Sequence, residues 1–493
     1  MLAVFRADAS STLGGGHVMR CLTLAGRLAR AGWSCAFATG PETSAVVPGL
    51  RGAGVDVFVL SGAGGAAELA DRFPSGADLL VVDHYGLDAG FESACRSWAR
   101  RILVIDDLAD RPHDCDLLVD AGPGCDADRY LGLVPGHCRV LLGPDHAILR
   151  DAFAALRPEA LARREAQRDV GRVLVNFGLG APHGVTATVL EGILAVDADF
   201  AVDVILARQS SDFTKVEALA RDCGRISLVE YAADMPGLMA LADIAVGAAG
   251  TTSWERCCLG LPTLVIELAD NQQENARGLA LAGAVINLGA VAGVGRDEVA
   301  AALSGLVADG SRRRAMSRAA AGVCDGLGTG RILRALQGGV RAAGGKAVEL
   351  RPARAEDLDI VFAWQCDRRV RRHFRNPQAP SRAEHAAWFG KRLSEPKGFF
   401  NIITCGGAPV GVLRLDPAGG DECFEVSIYV APQHWGQGIA SAALAQGKAL
   451  LPGATLVAEV LPENKASLVL FRKAGFAVGD DGKYVLRPGR AGS

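Results

Sequence analysis

Residues 246–276 read VGAAGTTSWERCCLGLPTLVIELADNQQENA. An apolar run, DIAVG (243–247), enters a loop of small residues and then a helix-length stretch. Gly260 and Pro262 stop that stretch, since one favours a left-handed cap and the other cannot continue a helix. A second apolar run, TLVIE (263–267), follows and leads into a polar loop at Asn271 and Gln272. Strand, helix, strand in this order is the unit from which parallel sheets with helices on both faces are built.

The same alternation extends in both directions. LAVFR (2–6), VDVFVL (55–60), DLLVVD (78–83), ILVID (102–106), RVLVNF (172–177) and VDVILA (202–207) read as further strands, with helix-length segments between most of them. The pattern pauses at the charged helical stretch 146–169 and restarts at Val173. This predicts two Rossmann-like α/β lobes, residues 1–150 and 151–335, with a ligand cleft between them. The uncharged span Gly278–Gly295 approaches membrane length, but its five glycines and Asn287 predict a helix end, a short strand and a loop. Four glycines around a short basic run at 336–347 read as a flexible linker. Beyond it, residues 348–493 begin a new strand-then-helix pattern of α+β type.

The bulk numbers suit this organisation. The 493 residues are too many for one ordinary domain and imply about three folding units. Hydrophobic residues make up 49% and charged residues 22%, enough for several cores. The net charge of -3 provides no basic field for nucleic acid. Thirteen cysteines without metal-ligand spacing point to a reducing, cytoplasmic compartment, with no metal and no membrane partner expected. Arg6 and Asp8 interrupt any signal-like apolar start. The oligomeric state is not legible.

Three features carry chemistry in the first 335 residues. The first is the glycine loop of STLGGGH (11–17), in which Gly14 and Gly16 permit close approach of a ligand to the backbone. GGGH is not a G-x-G-x-x-G fingerprint, and no lysine follows to make a phosphate loop. His17 stands at the start of the next helix, where the positive end of the dipole disfavours imidazolium and leaves a ring able to accept a proton. The second feature is a pair of polar strand ends, Asp83-His84-Tyr85 and Asp106-Asp107, placed where open sheets bind ligands. The third is the loop Gly250-Thr251-Thr252-Ser253, whose N–H and hydroxyl groups can surround a diphosphate. Glu255 on the following turn can accept from ribose hydroxyls, and Trp254 reads as packing.

With FRADASSTLGGGHVMRCLTLA (5–25), these runs resemble the UDP-sugar hydrolases of pseudaminic acid biosynthesis, relatives of MurG-type glycosyltransferases with a two-lobed glycosyltransferase-B fold. The resemblance implies His17 as general base, with water attacking the anomeric carbon and UDP leaving with inversion. It implies UDP-sugar contacts from Arg6, Asp8, Gly14, Gly16, Asp83, His84, Tyr85, Gly250, Thr251, Thr252, Ser253, Glu255, Asn271 and Gln272. No metal is implied. The turn after RVLVNF departs from the family's G-G-x-D-like pattern. Residues 178–183 carry no aspartate, which leaves His183 as a substitute or a bystander.

In the last third, VSIYVAPQHWGQGIASAAL (426–444) places Gln433-x-x-Gly436-x-Gly438 between a strand and a helix, a turn whose N–H groups can bind a pyrophosphate. ENKASLVLFRKAGFAV (463–478) supplies a second signature. Together they resemble the GNAT acetyltransferases. The resemblance implies acetyl-CoA as cosubstrate, held by Ile428, Val430, Gln433, Gly436, Gln437, Gly438, Ile439, Ala440, Asn464, Ser467 and Phe471. WQCDRRVRRHF (364–374) and SRAEHAAWF (381–389) resemble the branch acting on nucleotide sugars. There Arg369, Arg371, His385 and Trp388 would meet the acceptor, and the arginines would receive its diphosphate. Glu425 is the candidate base for the amine. Phe471 stands where many relatives have a tyrosine acid, leaving Ser467, Tyr484 or water to protonate the thiolate.

The two resemblances imply consecutive reactions: 4-N-acetylation of a UDP-4-amino sugar, then hydrolysis to UDP and the free diacetamido sugar. A UDP-sugar glycosyltransferase with an appended acetyltransferase remains an alternative. So does a nucleotide-sugar-binding regulatory lobe on a protein acetyltransferase.

Overall fold

The computed structural model describes residues 1–493 except 11–12, 62–64, 125, 167–168, 179–183, 337, 339, 394, 396–397, 420–422, 452, 480 and 489–493. The altered turn at 179–183, His183 included, therefore lies outside the described residues. The chain divides into two compact units, Met1–Leu333 and Arg334–Ser493.

The first unit holds two sheets. The first sheet comprises β1 (Leu2–Ala7), β2 (Ser34–Thr39), β3 (Asp56–Val59), β4 (Leu79–Asp83), β5 (Ile102–Ile105), β6 (Leu117–Asp120) and β7 (Arg139–Leu142). It is parallel throughout, in the order β3-β2-β1-β4-β5-β6-β7. The second comprises β8 (Arg172–Asn176), β9 (Ala201–Ile205), β10 (Ile226–Val229), β11 (Ile244–Ala248), β12 (Thr263–Glu267) and β13 (Val285–Ala290). It too is parallel, in the order β10-β9-β8-β11-β12-β13. The order reverses between β1 and β4 in one sheet and between β8 and β11 in the other. At such reversals neighbouring loops leave in opposite directions and open a crevice at the carboxyl ends of the strands. The segments that follow β1, β4 and β11 all leave from these two places.

Several strands lack the β-branched runs that mark the others. β2 reads SCAFAT, largely small residues, yet its last four positions are buried because a helix covers each face. β7 and β10 are four-residue edge strands, too short for a pattern of their own. β13 and the preceding helix Gln273–Leu281 account for the uncharged span at 278–295. Among the described residues no helix is long and apolar enough to cross a membrane.

The charged stretch read as a junction is the helix Asp151–Ala166, and it packs on the second lobe. Arg157 donates to the carbonyls of Cys258, Ala321 and Cys324, and buried Arg164 to those of Met239 and Ala242. Cationic side chains thus close helix C-termini whose carbonyls would otherwise lack partners. The chain returns through the helix Gly328–Leu336, whose start docks on the lobe-crossing segment. Thr329 exchanges hydrogen bonds with Leu149, accepting from its N–H at 3.1 Å and donating to its carbonyl at 2.8 Å.

The second unit is a mixed sheet of β14 (Val340–Arg341), β15 (Ala347–Pro352), β16 (Phe399–Cys405), β17 (Ala408–Pro417), β18 (Cys423–Val430), β19 (Thr455–Ala458), β20 (Ala477–Val478) and β21 (Tyr484–Leu486). Its order is β14-β15-β16-β17-β18-β19-β21-β20, antiparallel except between β18 and β19. The supposed linker differs from its reading. Residues 340–341 pair with 347–348 as a hairpin, and the Ala343 N–H donates to the Gln437 carbonyl at 2.8 Å. The glycines there turn an edge hairpin, so a backbone capable of a free tether instead satisfies the sheet. β18 and β19 pair only from Cys423 to Glu425 before they diverge, which opens a cleft.

Replacing Thr329 with valine leaves the buried Leu149 N–H and carbonyl without their partner. A loss of about 1–3 kcal/mol is expected for the first unit, read as a lower urea midpoint with an unchanged slope.

Candidate functional site

At the reversal in the first sheet, Ala7 pairs with Asp83, so the ends of β1 and β4 lie side by side. The helix Gly16–Arg30 starts above them. Gly14, at φ 70°, closes a small turn by donating its N–H to the Ser10 carbonyl, which delivers His17 to the first turn of that helix. His17 is 7% exposed, and its Nδ1 lies 2.5 Å from the Oδ1 of fully buried Asp83. The carboxylate accepts the Nδ1 proton, which leaves Nε2 as the nitrogen able to take one.

Asp83 has further partners. Arg20 donates to both of its oxygens at 2.6 Å and to Asp107 at 3.2 Å, and the Cys21 thiol lies 3.6 Å from Oδ2. Burial alone would push Asp83 up, but the charges of Arg20 and His17 outweigh it and hold the carboxyl well below its usual range. Arg20 was not singled out from sequence. Its signal was its position three residues after His17, which puts both on one helix face. Tyr85 packs edge-on against His17, ring centroids 4.6 Å apart. Its hydroxyl accepts from Asn271 of the other lobe at 3.0 Å.

One of the expected ligand contacts has a structural role instead. Arg6 is 1% exposed and forks onto Asp8 at 2.5 and 2.9 Å, so it orients that carboxylate from beneath. Asp8 also accepts from the Gly40 N–H at 2.6 Å and pairs with His84 at 3.2 Å. Burial raises Asp8, and these bonds more than reverse the effect. His84 in turn accepts from the Gly86 N–H. Asp106 is buried in a separate network with Tyr130 and Asp120.

In the second lobe the loop between β11 and the short helix Thr252–Cys258 faces the first. A Cβ built on Gly16 would stand 3.4 Å from Thr251 Oγ1, so the glycine loop and the threonine loop are neighbours. Gly250, Thr251 and Thr252 are half-buried on the open side. Ser253 is not: it is 1% exposed, its hydroxyl donates to the Ala248 carbonyl and its N–H to that of Gly250. It shapes the loop rather than facing the cleft. Arg256 lies beneath the loop, 2% exposed, and donates to the Ala248 carbonyl and to Ser253 Oγ. Burial brings its guanidinium down to about 10, so it stays charged. Gly247 has to be glycine because a Cβ there would collide with this guanidinium and with the Asn176 carbonyl.

Glu255 is pushed up to about 7 by burial, only partly offset by Arg150, 3.9 Å away, and Arg256. Trp254 packs in the core. Gln272 is turned to accept from the Leu268 N–H at 3.1 Å.

The second unit has a cleft of about 1250 Å³ where β18 and β19 diverge. Ile428, Val430, Gly436, Gly438, Ile439 and Ala440 line one side, and Asn464, Ser467 and Phe471 another. Gly436 and Gly438 both stand at φ 76°, which turns backbone N–H groups toward the cleft ahead of the helix Ile439–Leu450. Gln433 and Gln437 are not among the lining residues, and the Gln437 carbonyl is spent on the hairpin. Asn464 caps its helix by accepting from the Ser467 N–H. Tyr484 is 4% exposed, bonded to Arg472 and away from the cleft, so it is not placed to protonate a thiolate there.

Arg371, His385 and Trp388 also line the cleft, whereas Arg369 is exposed and paired with Asp367 outside it. His385 is buried, donates its Nε2–H to the Leu358 carbonyl at 3.1 Å, and is pushed down by burial. Glu425 is engaged by Arg375, which also reaches Glu459 at 2.7 Å. Arg375 thus occupies Oε1 of the carboxylate expected to act as the base. Arg414, stacked on Trp388 at 4.9 Å, was missed because it lies in an ordinary strand. Among the described residues no cluster of histidine, cysteine and carboxylates suits a metal.

Comparisons with known proteins concern two portions of the chain. Residues 188–326 match the glycosyltransferase family 28 C-terminal domain, and residues 347–477 the acetyltransferase (GNAT) domain. The UDP-2,4-diacetamido-2,4,6-trideoxy-beta-L-altropyranose hydrolase of Campylobacter jejuni is 32% identical over 176 residues, 34% of this chain and 58% of that protein. The spore coat polysaccharide biosynthesis protein SpsG of Bacillus subtilis is 27% identical over 206 residues, 41% of this chain and 60% of that protein. The chain thus spans somewhat over half the length of these relatives. MurG of Acinetobacter baumannii superposes with a TM-score of 0.51 at 16% identity, covering 68% of this chain and 99% of that one, a likeness of fold. One chain therefore joins a portion similar to a nucleotide-sugar hydrolase, with a glycosyltransferase-B-like pair of lobes, to a GNAT segment.

Replacing Asp83 with asparagine removes the fork from half-buried Arg20 and leaves it Asp107 alone as a carboxylate partner. A loss of about 3–5 kcal/mol is expected at neutral pH. Because the folded carboxyl lies below its unfolded value, its stabilisation is complete above pH ~4 and fades as the pH falls further. Urea titrations should show the parent and Asp83→Asn converging in acid.

Proposed function

We propose that the chain is a bifunctional nucleotide-sugar enzyme: an acetyl-CoA-dependent N-acetyltransferase of a UDP-4-amino-4,6-dideoxy sugar and an inverting hydrolase of the acetylated product. The observation that carries the hydrolase half is the meeting of the two loops. The His17–Asp83 pair and the Thr251 loop, from different lobes, flank one crevice. A UDP-sugar held by its diphosphate on the second lobe would present its anomeric carbon to the base on the first.

In this mechanism His17 Nε2 takes a proton from water as the water oxygen bonds to the anomeric carbon. The carbon–oxygen bond to the diphosphate breaks, and the electron pair leaves on UDP. Diphosphate is a good leaving group, so loop donors suffice without an acid. Tyr85, Asp8 and His84 border the sugar, and Glu255 accepts from the ribose. The particular sugar, a 2,4-diacetamido-2,4,6-trideoxy-L-altrose, is suggested by the Campylobacter relative.

For the acetyltransferase half, acetyl-CoA supplies the acetyl group as a thioester. The Gly436–Gly438 turn would hold its pyrophosphate, and Arg371, His385 and Trp388 would border the acceptor. Phe471 has no proton to give, so Ser467 or water protonates the thiolate.

The test is mass spectrometry of products from the UDP-4-amino sugar with and without acetyl-CoA. Acetylated UDP-sugar, then free diacetamido sugar and UDP in water alone, are expected. An intact UDP-sugar that turns over only with a sugar acceptor would establish a glycosyltransferase. UDP binding without turnover, with acetylation of peptide amines, would establish a regulatory lobe. His17→Ala should lower sugar release by about 10²–10⁴-fold while UDP affinity changes by less than about threefold.

Glu255 gives a second test. Its carboxylate form, present above pH ~7, is the better acceptor for ribose hydroxyls. Affinity for a UDP-sugar should fall by about fivefold to tenfold on going well below that pH, and Glu255→Gln should abolish the dependence. Calorimetry across the range reads both.

A further inference from the structure

Two influences of opposite sign act on His17. The helix it opens presents its positive end, which disfavours a charged ring. Asp83, anionic and 2.5 Å from Nδ1, favours one. A general base has to be neutral before it can act, so the balance decides the pH range in which the site works.

Arg20 tips that balance. It stands one helical turn after His17, with Nε 2.6 Å from one oxygen of Asp83 and Nη2 2.6 Å from the other. Nη2 is also 3.3 Å from His17 Nδ1, and Nη1 reaches Asp107 at 3.2 Å. We propose that Arg20 is a positioning residue for the base, turning Asp83 toward the Nδ1 proton while its own charge cancels the carboxylate's pull on the ring. This rests on the reading of His17 as the base of a hydrolase.

The other groups around the pair leave this role to Arg20. From the same helix, the Cys21 thiol is kept neutral by burial. From the loop after β4, Tyr85 is likewise pushed up by burial and stays a neutral phenol. Asp107, after β5, turns one oxygen to Arg20. Arg6 is ion-paired with Asp8, which also accepts from His84 Nε2, at the ends of β1 and β4. From the second lobe, Thr251 and Asn271 carry no charge. Among the described residues, Arg20 is the cation in direct contact with the dyad.

A lysine could supply the charge but not the fork, since its single ammonium cannot hold both oxygens of Asp83 and reach Asp107 in a fixed plane. Charge and orientation are therefore separable. The experiment measures UDP release from UDP-2,4-diacetamido-2,4,6-trideoxy-β-L-altropyranose by the full chain, by Arg20→Gln and by Arg20→Lys, over about pH 5–9. In Arg20→Gln the acid limb of kcat should move up by about one pH unit, a tenfold change in proton affinity, while KM stays within about twofold. In Arg20→Lys the limb should return close to the parent's, with kcat still reduced.

A lowered kcat on an unshifted limb in Arg20→Gln would overturn the proposal and leave Arg20 a structural residue. If Arg20→Gln does not fold, Arg20→Lys decides, and a limb displaced by a full unit there would overturn the charge argument. A parent that releases no UDP would overturn the hydrolase reading itself and this inference with it, an outcome distinct from an active parent with an unshifted variant.

Discussion

A carboxylate with no exposure to solvent, Asp83, sits at the end of a central parallel strand, and the first lobe is arranged around keeping it charged. Desolvation of such a group is expensive unless several donors replace water. Here the donors are a forked guanidinium, an imidazole N–H and a thiol, all from the one helix that begins over the strand end. The helix cannot shift by a residue without unpairing the charge. That constraint in turn fixes the direction of His17 and the side of the crevice on which Nε2 is available.

The second lobe applies the same topology to the opposite kind of charge. Its sheet reverses order at β8 and β11, and the buried ion beneath the loop is a cation, Arg256. It turns the Ala248 carbonyl and the Ser253 hydroxyl inward, so that the loop's remaining donors can face an anion. Anionic support under His17 and cationic support under the threonine loop make the two walls of the crevice chemically distinct. The second unit builds its cleft differently, from two strands that start as a pair and diverge after Glu425. Arginine fills the acidic end of that cleft, where Arg375 spans Glu425 and Glu459.

Much of this was legible in the chain. Strands at 2–6, 78–83, 172–177, 243–247 and 263–267 announced themselves because central parallel strands are apolar on both faces. Glycine loops, their histidine and the Thr251–Glu255 run follow short-range rules of turns and helix starts, so local sequence suffices for them. β2, β7 and β10 did not stand out, since a strand of small residues or of four residues takes its structure from its neighbours. The glycine-rich stretch at 336–347 has the composition of a tether, and only pairing with 347–348 makes part of it a hairpin.

Residue types and local spacing sufficed to mark His17, Asp83 and Tyr85 as chemically suspect, and Gly436 and Gly438 as a turn. Which partner each acquires depended on contacts between segments far apart in the chain. Asp83 meets Arg20 across 63 residues, Tyr85 meets Asn271 across 186, and Arg375 meets Glu425 across 50. Short-range contacts, to partners two to five residues away, withdrew Arg6, Ser253 and Arg369 from the expected ligand set. A side chain's type is local, whereas its hydrogen-bond partner and its burial, and hence its charge, are properties of the packed chain.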